Sequence, residues 1–329
     1  MQILTIAIPT YNRPVEITST LRQLFSQDRI EECEIIVVDN ASEHSVEEIV
    51  RQEVPEISRR VSFHRNVANI GLSGNLLRCM ELARTERLWI LADDDDLANH
   101  AVSRILEACA IEESPDFILF AQYEGQKSYP ITSSAKEFFD QVETWARLGF
   151  VSTGIYRTAH LQRLLTVGTN YTYTLFPFLA MLVHGMDYCG WKAGLNSHVI
   201  VHPAHKAANT WALISSIHGY VVAELAKSPD VSKRLLQLAS GWCLGPIGLT
   251  HDFALRRVRN DPGLPRLAYE HKLFLISSVS FSLRIQSMIC RLLSYLPPGL
   301  ALRAIGALRY LSGRHLRRNR GGETVFGQI

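Results

Sequence analysis

Residues 2–39 read QILTIAIPTYNRPVEITSTLRQLFSQDRIEECEIIVVD, and this stretch decides the fold class. Residues 2–8 form a short apolar run rich in β-branched side chains that ends at Pro9, which predicts a buried strand. Apolar residues then recur at helical spacing over 14–27. A second buried strand is predicted at Glu34–Asp39. The stretch therefore predicts a strand, a helix and a second strand.

The same alternation continues along the chain. Short strands are predicted at 61–65 and 87–92, with a helix at 72–83 between them. This order predicts parallel βαβ units, so we expect an α/β fold of the Rossmann type, a mostly parallel sheet with helices on both faces. Ligands bind at the carboxyl ends of such strands. The polar residues that follow the predicted strands, and that we expect to converge on one crevice, are Pro9 to Asn12, Asp39 with Asn40, and Asp93 to Asp96.

Four consecutive aspartates, Asp93–Asp96, follow the strand at 87–92. Adjacent carboxylates repel one another unless a cation neutralises them. Mg²⁺ or Mn²⁺ binds through one or two carboxylates together with substrate phosphates, so a diphosphate substrate is predicted here. The alternative is a solvated acidic turn or helix N-terminus, where the helix dipole favours aspartate.

The remaining elements divide the chain into two regions. We expect an N-terminal domain at 1–208, with halves at 1–125 and 126–208, and a helical region at 209–329. The predicted elements beyond the aspartates are a helix near 99–112, a strand at 116–123, a strand or turn feeding a helix over 150–165, a helix at 174–183, and strands at 188–191 and 197–202.

The C-terminal region combines apolar and basic residues. One helical stripe over 281–296 comprises Phe281, Ile285, Met288, Ile289, Leu292 and Leu296. The run RHLRRNR follows at 314–320, and no uncharged apolar stretch reaches the ~20 residues that a bilayer span needs. An amphipathic helix on an anionic membrane surface fits this pattern. The alternative is that these helices pack on the N-terminal domain.

The charge is unevenly distributed although the net charge of the 329 residues is only +2. Residues 1–150 carry 25 acidic and 14 basic side chains, whereas residues 256–320 carry 13 basic and 2 acidic ones. Disorder is excluded by the 47% apolar content, and the acidic crevice argues against a nucleic-acid binder. Six scattered cysteines without a C-x-x-C pair predict reduced thiols, and no signal peptide is recognised, so a cytoplasmic chain is expected.

Four segments carry a family resemblance, and they occur in a characteristic order and spacing: IPTYNRP at 8–14, IIVVDNAS at 35–42, NIGLSGNLLR at 69–78 and LWILADDDDL at 88–97. Together they resemble the N-terminal half of family 2 glycosyltransferases with the GT-A fold. Within that family they look like abequosyltransferases and other O-antigen or polysaccharide sugar transferases. The likeness is strong over 1–125, the donor half, and weak over 150–205 in the acceptor half.

The resemblance implies a role for individual residues of the donor half. Those expected to bind the nucleotide-sugar are Pro9, Thr10, Tyr11, Asn12, Asp39, Asn69, Gly71, Asn75, Asp93 and Asp94. In the family, the positions of Thr10 and Tyr11 cradle the base, Asp39 accepts a hydrogen bond from it, and the loop from Asn69 closes over the nucleoside. Asp95, with Asp94 next, is expected to hold Mg²⁺ or Mn²⁺. His205 is a further candidate for the metal or diphosphate.

The activity that the resemblance implies is metal-dependent, inverting transfer of a hexosyl or deoxyhexosyl group to a glycan acceptor, expected to be lipid-linked. The enzyme would then work on the inner face of the cell membrane. In the family a carboxylate base activates the acceptor hydroxyl, but the corresponding stretch 168–182 contains no carboxylate. Asp187 and Glu124 are the remaining candidates, and the base stays unassigned. The alternatives are a catalytically weak nucleotide-sugar-binding or assembly protein and a nucleotidyltransferase of similar fold.

Overall fold

The computed structural model separates the chain by its internal contacts into two compact units, Met1–Trp242 and Cys243–Ile329. The residues that the structure describes are 2–111, 115–202, 221–242, 281–319 and scattered positions between 250 and 277. The first unit holds every strand of the described residues, and the second contributes helices alone.

The first unit is built on an eight-stranded sheet in the order β3-β2-β1-β4-β8-β6-β9-β7, and a two-stranded ribbon pairs β5 with β10. The strands are β1 Leu4–Thr10, β2 Cys33–Asp39, β3 Val61–Arg65, β4 Arg87–Ile90, β5 Asp96–Leu97, β6 Phe117–Ala121, β7 Tyr129–Thr132, β8 Gly154–Arg157, β9 Ala193–Val199 and β10 Val201–His202. Only β8 and β7 run against the other strands of the large sheet. The predicted mostly parallel α/β sheet is confirmed.

Helices connect the strands along the first unit. They are α1 Pro14–Phe25, α2 Val46–Glu53, α3 Pro55–Ser58, α4 Gly71–Leu82, α5 Ala101–Cys109, α6 Ala135–Gln141, α7 Trp145–Gly149, α8 Thr158–Gln162, α9 Leu165–Asn170, α10 Pro177–Cys189 and α11 Pro229–Trp242. A short 3₁₀ turn, Val151–Thr153, precedes β8. The helices predicted over 14–27 and 72–83 correspond closely to α1 and α4.

Strand β1 lies at the centre of the sheet and is buried along its whole length. On one face Leu4, Ile6 and Ile8 join the core cluster that holds Ile17 and Leu21 of α1. Helix α4 also contacts β1 but supplies no residue to this cluster, so it covers the other face. A fully buried side chain of this size contributes roughly 1.5–3 kcal/mol, which explains why an unbroken apolar run was a reliable strand signal.

The structure corrects the sequence prediction at the end of α10. A strand was expected at 188–191, but the helix continues to Cys189 and the next strand starts at Ala193. Gly190 ends the helix in a left-handed conformation with φ of 66°, and the Trp191 N–H donates to the Gly185 carbonyl at 3.0 Å. Glycine adopts this conformation at no steric cost, and it is a common helix terminator.

The first unit extends beyond the boundary that was placed near residue 208. Helix α11 packs on α6, and Arg234 of α11 donates from Nη2 to the Val142 carbonyl at 2.8 Å and from Nε to the Phe139 carbonyl at 3.1 Å. These contacts attach α11 to the sheet-containing unit. The division by contacts therefore lies between Trp242 and Cys243.

The second unit contains α12, Phe281–Leu293, and α13, Pro298–Asn319. Ala301 and Ile305 of α13 are fully buried in a small cluster with Ala254, and Leu293 of α12 packs against it. Among the described residues of the whole chain, no helix has the length and apolarity that a membrane crossing requires.

Candidate active site

The carboxyl ends of β1, β2 and β4 lie side by side at one edge of the sheet. Thr10 pairs in register with Asp39, and the Asn40 N–H donates to the Thr10 carbonyl at 2.9 Å. Strand β4 pairs with β1 on the other side, and the Leu91 N–H donates to the Ala7 carbonyl at 3.0 Å. The aspartates that follow β4 therefore emerge next to Thr10, as the sequence predicted.

Asp93 is buried and receives two hydrogen bonds. Thr10 Oγ1 donates to its Oδ2 at 2.7 Å, and Arg13 Nη1 donates to its Oδ1 at 3.0 Å. Burial nevertheless raises the pKa of Asp93 to about 6, because the loss of hydration outweighs these two stabilising contacts, while the nearby Asp94 carboxylate raises it further. Asp93 is thus a carboxyl group whose protonation changes in mildly acidic solution.

Arg13 also reaches Asp94, with Nη1 at 2.6 Å from Oδ2. One guanidinium nitrogen therefore bridges two of the four carboxylates. The Arg13 side chain is 44% exposed, so this cation lies at the mouth of the crevice and not within its wall. The sequence alone did not indicate the bridge, since Arg13 is separated from the aspartates by about eighty residues.

Asp95 is buried and is held by Ser152, which lies just before β8, the strand that pairs with β4. Ser152 Oγ donates to Asp95 Oδ2 at 2.7 Å and accepts a hydrogen bond from the Ala92 N–H at 3.0 Å. The Trp89 indole N–H donates to the Ser152 carbonyl at 2.8 Å. Ser152 is fully buried. Both its side chain and its backbone are therefore fixed to the end of β4, and its single hydroxyl proton is directed at the carboxylate.

Asp39 is buried at the end of β2 and is paired on both oxygens. Its Oδ1 accepts from the Ser42 N–H at 2.9 Å, and its Oδ2 accepts from Arg65 Nη1 at 3.1 Å. Arg65 is the last residue of β3, which brings it beside the end of β2. The carboxylate is thereby held in one orientation at the crevice.

A network of asparagine side chains joins the ends of β2 and β3 to the start of α4. Asn40 Nδ2 donates to Asn69 Oδ1 at 2.8 Å, and Asn66 Nδ2 donates to Asn40 Oδ1 at 3.0 Å and to Asn75 Oδ1 at 2.9 Å. Asn75 Nδ2 in turn donates to the Val38 carbonyl at 3.0 Å. Two of these residues, Asn69 and Asn75, were predicted site residues.

The network shapes the loop before α4. The N–H of Gly71 donates to Asn69 Oδ1 at 2.9 Å, and Gly71 has a positive φ of 76° that favours glycine. Asn66 was missed by the sequence analysis. Its only signal was its place directly after the third strand, at the same edge as the other polar residues.

The loop after β1 presents one aromatic ring to solvent. Pro9 is buried within β1, whereas Tyr11 is 44% exposed and available for stacking. Asn12 has a left-handed φ of 54°, its N–H donates to Ser42 Oγ at 2.8 Å, and its Oδ1 accepts from the Glu43 N–H at 2.8 Å. The loop is therefore tied to the loop after β2 while Tyr11 stays accessible.

The predicted metal site offers carboxylate oxygens as ligands. The carboxylates of Asp94 and Asp95 lie at the end of β4 and suit a hard divalent cation that also takes diphosphate oxygens. Within the described part of the chain no three His, Cys, Asp or Glu residues form a complete cluster. Two carboxylates fit Mg²⁺ or Mn²⁺ that also takes oxygens of a substrate phosphate. His205 lies outside the described residues, although β10 ends at His202 opposite Asp96.

The structure separates the two candidates for the catalytic base. Asp187 lies in the last turn of α10 and not after the helix, and its Oδ2 accepts from the Ser228 N–H at 2.8 Å. That end of α10 leads into the start of β9, which pairs with the start of β6. Asp187 therefore lies at the amino edge of the sheet, opposite the aspartates, and is not a base at this site. Glu124 follows the carboxyl end of β6 and is exposed.

Comparisons with known proteins agree with this architecture. The sequence model of glycosyl transferase family 2 matches residues 5–173. The abequosyltransferase RfbV of Salmonella typhimurium is 24% identical over 172 residues, which is 52% of this chain and 50% of the relative. A Campylobacter jejuni protein, GalNAc(5)-diNAcBac-PP-undecaprenol beta-1,3-glucosyltransferase, is 28% identical over 107 residues, 32% of this chain and 34% of that protein. The chain thus matches half or less of the length of these relatives.

Solved structures of similar fold extend over nearly the whole chain. S. aureus TarS 1–349 in complex with UDP-GlcNAc has a TM-score of 0.58 at 18% identity and covers 95% of this chain and 92% of its own. The mannosyltransferase PcManGT from Pyrobaculum calidifontis in complex with GDP-Man and Mn²⁺ has a TM-score of 0.53 at 15% identity, covering 96% and 88%. At these identities the likeness establishes the GT-A-like fold alone. Because the family match spans half the chain, this protein belongs to glycosyl transferase family 2.

Proposed function

We propose that this protein transfers a hexosyl or deoxyhexosyl group from a nucleotide-diphosphate sugar to a glycan acceptor, with inversion at the transferred sugar. The observation that carries the proposal is the convergence of buried, oriented carboxylates and an asparagine network at the carboxyl ends of β1, β2 and β4. Parallel sheets bind ligands at this edge. A diphosphate with a divalent cation matches the chemistry of the aspartates.

Several residues of the first unit would each bind a different part of the donor. Tyr11 stacks on the base, Thr10 lines the same wall, and Asp39 accepts a hydrogen bond from the base. The loop at Asn69 and Gly71 closes over the nucleoside. Hydrogen bonds that hold Asp39, Asn69 and the Thr10 hydroxyl in fixed orientations support this assignment. Orientation before binding lowers the entropic cost of complex formation.

The divalent cation would be held by Asp95 and Asp94. When bound, such an ion supplies Lewis-acid stabilisation to the departing diphosphate. Ser152 keeps the Asp95 carboxylate in one orientation, and Arg13 neutralises part of the charge on Asp93 and Asp94. Like charges at this spacing oppose one another, so a cation bound there is favoured by relief of that repulsion.

The acceptor is proposed to be a lipid-linked glycan, reached from the cytoplasm at the inner face of the cell membrane. The basic C-terminal segment supports this location because anionic lipids attract arginine. The C. jejuni relative is named for an undecaprenol-linked compound, which supports the same class of acceptor. Of the two candidate bases, we propose Glu124, which follows the carboxyl end of β6, as the group that takes the proton of the acceptor hydroxyl.

A second candidate function follows from one observation on the acceptor side. Residues 168–182 contain no carboxylate, and Asp187 lies at the wrong edge of the sheet. A chain without a base would bind nucleotide-sugars and transfer them weakly, as a binding or assembly protein would.

A thermal-shift screen of UDP-, GDP-, CDP- and dTDP-sugars with and without Mn²⁺ tests the proposed function. A binder raises stability in proportion to RT ln(1 + [L]/Kd). We expect one nucleotide to raise the melting temperature, with a larger rise when Mn²⁺ is present. Absence of a shift with all four would contradict the proposal. Binding of one donor, followed by no release of nucleoside diphosphate with any glycan acceptor, would favour the binding-protein function.

A further inference from the structure

Helix α12 of the second unit has its polar and apolar faces reversed relative to an ordinary surface helix. Its buried side consists of Ser287 and Cys290, followed by Ser294 after the helix end, which are at most 5% exposed. Several of its large apolar residues face solvent, with Met288 60% and Leu292 66% exposed, whereas Leu293 packs on the small core of the second unit. A surface helix normally buries its apolar stripe, so the exposed residues form a stripe that the described part of the second unit does not cover.

The inner side of α12 is already occupied by polar contacts. Tyr269 Oη donates to the Cys290 carbonyl at 3.1 Å, Arg257 Nη1 donates to the Ser294 carbonyl at 2.9 Å, and Arg266 Nη2 donates to Ser294 Oγ at 3.2 Å. These bonds fix which side of the helix faces inward. A rotation that buried the apolar stripe would break all three. The outward direction of the stripe is therefore specified by the fold of the second unit.

The outer face is continuous along the helix and past its end. Its exposed members follow helical spacing and comprise Ile285, Met288, Ile289, Leu292 and Leu296, with Leu300 at the start of α13. We call this set the α12 stripe. The largest exposed apolar patch of a monomeric protein is often functional, so these six exposed side chains are a candidate interaction surface.

Exposed arginines border the α12 stripe. Arg284 precedes it on the same helix and Arg303 follows it on α13, and both are exposed. Residues 256–320 as a whole carry 13 basic and 2 acidic side chains. So strong a basic excess repels a second copy of the same segment and attracts an anionic surface. Apolar side chains set in a basic surround are the combination that enters the headgroup region of a bilayer.

We propose that the α12 stripe is a docking face for an anionic lipid bilayer, with its apolar side chains inserted among the headgroups and the neighbouring arginines on the phosphates. The inference deepens the proposed function, because docking would bring the enzyme to a lipid-linked acceptor in the bilayer. Only this purpose of the docking rests on the proposed function. The contact itself needs no sugar transfer.

Co-sedimentation of the full chain with vesicles tests the docking face. The vesicles are of phosphatidylcholine alone or with about one third phosphatidylglycerol. We expect the native chain to bind the anionic vesicles and to bind the neutral ones weakly. The double variant Met288→Gln/Leu292→Gln keeps the buried face of α12 and should lower binding to anionic vesicles at least about tenfold. The control is Ile111→Gln, which changes an exposed isoleucine of the first unit and should bind as the native chain does.

The arginine contribution is measured separately. Arg284→Gln and Arg303→Gln should each weaken binding about fivefold at low salt, and the difference should shrink as salt is added. Nucleotide-sugar thermal shifts are recorded on the same samples. An unchanged shift in the double variant shows that the chain is folded, and it separates failure of the docking face from failure of the proposed function.

Any of the following results would overturn the inference. The native chain stays in the supernatant when anionic vesicles are pelleted, the double variant binds the vesicles as tightly as the native chain, or sedimentation velocity shows a native dimer that is dissociated in the double variant, with no vesicle binding. The last result would assign the stripe to a second copy of the chain. Displacement from vesicles by RNA at matched charge, with the double variant equally affected, would assign the arginines to nucleic acid.

Discussion

The two sides of the crevice that are proposed to hold donor and acceptor are built from different kinds of residues; we call them the donor side and the acceptor side. On the donor side, Asp39, Asp93 and Asp95 are each buried at a strand end and each hydrogen-bonded to a neighbouring element. On the acceptor side, residues 168–182 contain no carboxylate, and Phe176 packs edge-on against Trp145 with ring centroids 5.8 Å apart. The donor side thus carries oriented charges, whereas the acceptor side includes a buried aromatic pair.

This difference explains why nucleotide-sugar binding is the better supported half of the proposed function. Buried carboxylates are costly to desolvate, so a chain that keeps several at one edge bears that cost for a ligand or cation. The aromatic acceptor side carries no such cost and so offers no comparable sign of chemistry. The following variants test this difference between the two sides.

The largest effect is expected from removing the carboxylate that Ser152 holds. Asp95→Ala should lower turnover at least about 10³-fold, because several kcal/mol of stabilisation of the leaving diphosphate would be lost. Turnover is measured as release of nucleoside diphosphate at saturating Mn²⁺. The matched control is Asp96→Ala. This neighbouring aspartate is exposed, and its side chain accepts a hydrogen bond from Gln23. Equal losses in both variants would contradict the assignment of the metal to Asp95.

The next effect decides whether the acceptor side has a base at all. Glu124→Gln should lower kcat about 10²- to 10³-fold while leaving the KM for the donor unchanged, because a general base acts on the acceptor proton alone. Asp187→Asn is the control and should retain native kcat, since Asp187 lies at the opposite edge of the sheet. If Glu124→Gln retained native turnover, the acceptor side would lack its proposed catalytic carboxylate. The acceptor hydroxyl would then have to be activated without Glu124.

A pH-dependent effect follows from the buried Asp93. Its folded pKa of about 6 lies above the ordinary value of 3.8, so the folded chain binds this proton more tightly than the unfolded chain does. The stability that this proton provides is present below about pH 4 and is lost as the pH rises towards 6. The loss amounts to roughly 2–3 kcal/mol, an order-of-magnitude figure for a shift of about two units.

Urea unfolding in EDTA at pH 4.5 and pH 7 measures this loss. Asp93→Asn cannot titrate, so its stability relative to the native chain should rise between the two pH values. Parallel behaviour of the two proteins would show that the carboxyl group titrates normally in the folded state. Glu34→Gln serves as the control, because that carboxylate accepts a hydrogen bond from Thr5 away from the crevice.

The smallest expected effect concerns the positioning of Asp95. Ser152→Ala removes the hydroxyl that orients the carboxylate and should weaken Mn²⁺ binding about tenfold, as loss of an outer-shell partner typically does. Isothermal titration with Mn²⁺ and nucleoside diphosphate measures this directly. The control is Ser287→Ala, which removes a buried hydroxyl of the second unit that has no hydrogen-bond partner among the described residues. Native affinity in Ser152→Ala would mean that the neighbouring backbone holds Asp95 unaided.

The sequence predicted the strands and their polar ends well because these signals are local. An unbroken β-branched run is a buried strand almost regardless of its surroundings, and polar residues directly after such runs must meet at the carboxyl edge of a parallel sheet. Thr10, Asp39 and Asp93 came together for this reason. The prediction at 188–191 was wrong because an apolar segment next to a glycine reads equally as the end of a helix or the start of a strand.

Residues that serve the site from a distance were not predictable in this way. Ser152 lies 57 positions from Asp95, and Arg13 lies about eighty positions from the aspartates that it bridges. Neither contact leaves a periodicity or a spacing in the sequence. Asp187 was a candidate only because no acid lay nearer in the sequence, and sequence distance does not say at which edge of a sheet a helix ends.

Sequence patterns within a few turns or strands were enough to predict the α/β order, the strand ends that carry the polar residues, and the basic, amphipathic character of the C-terminal region. The three-dimensional structure was needed to show which partners hold each carboxylate, that Asp187 lies away from the crevice, and that the α12 stripe faces outward. Those outcomes depend on contacts between distant segments, and packing and hydrogen bonding across the fold select them.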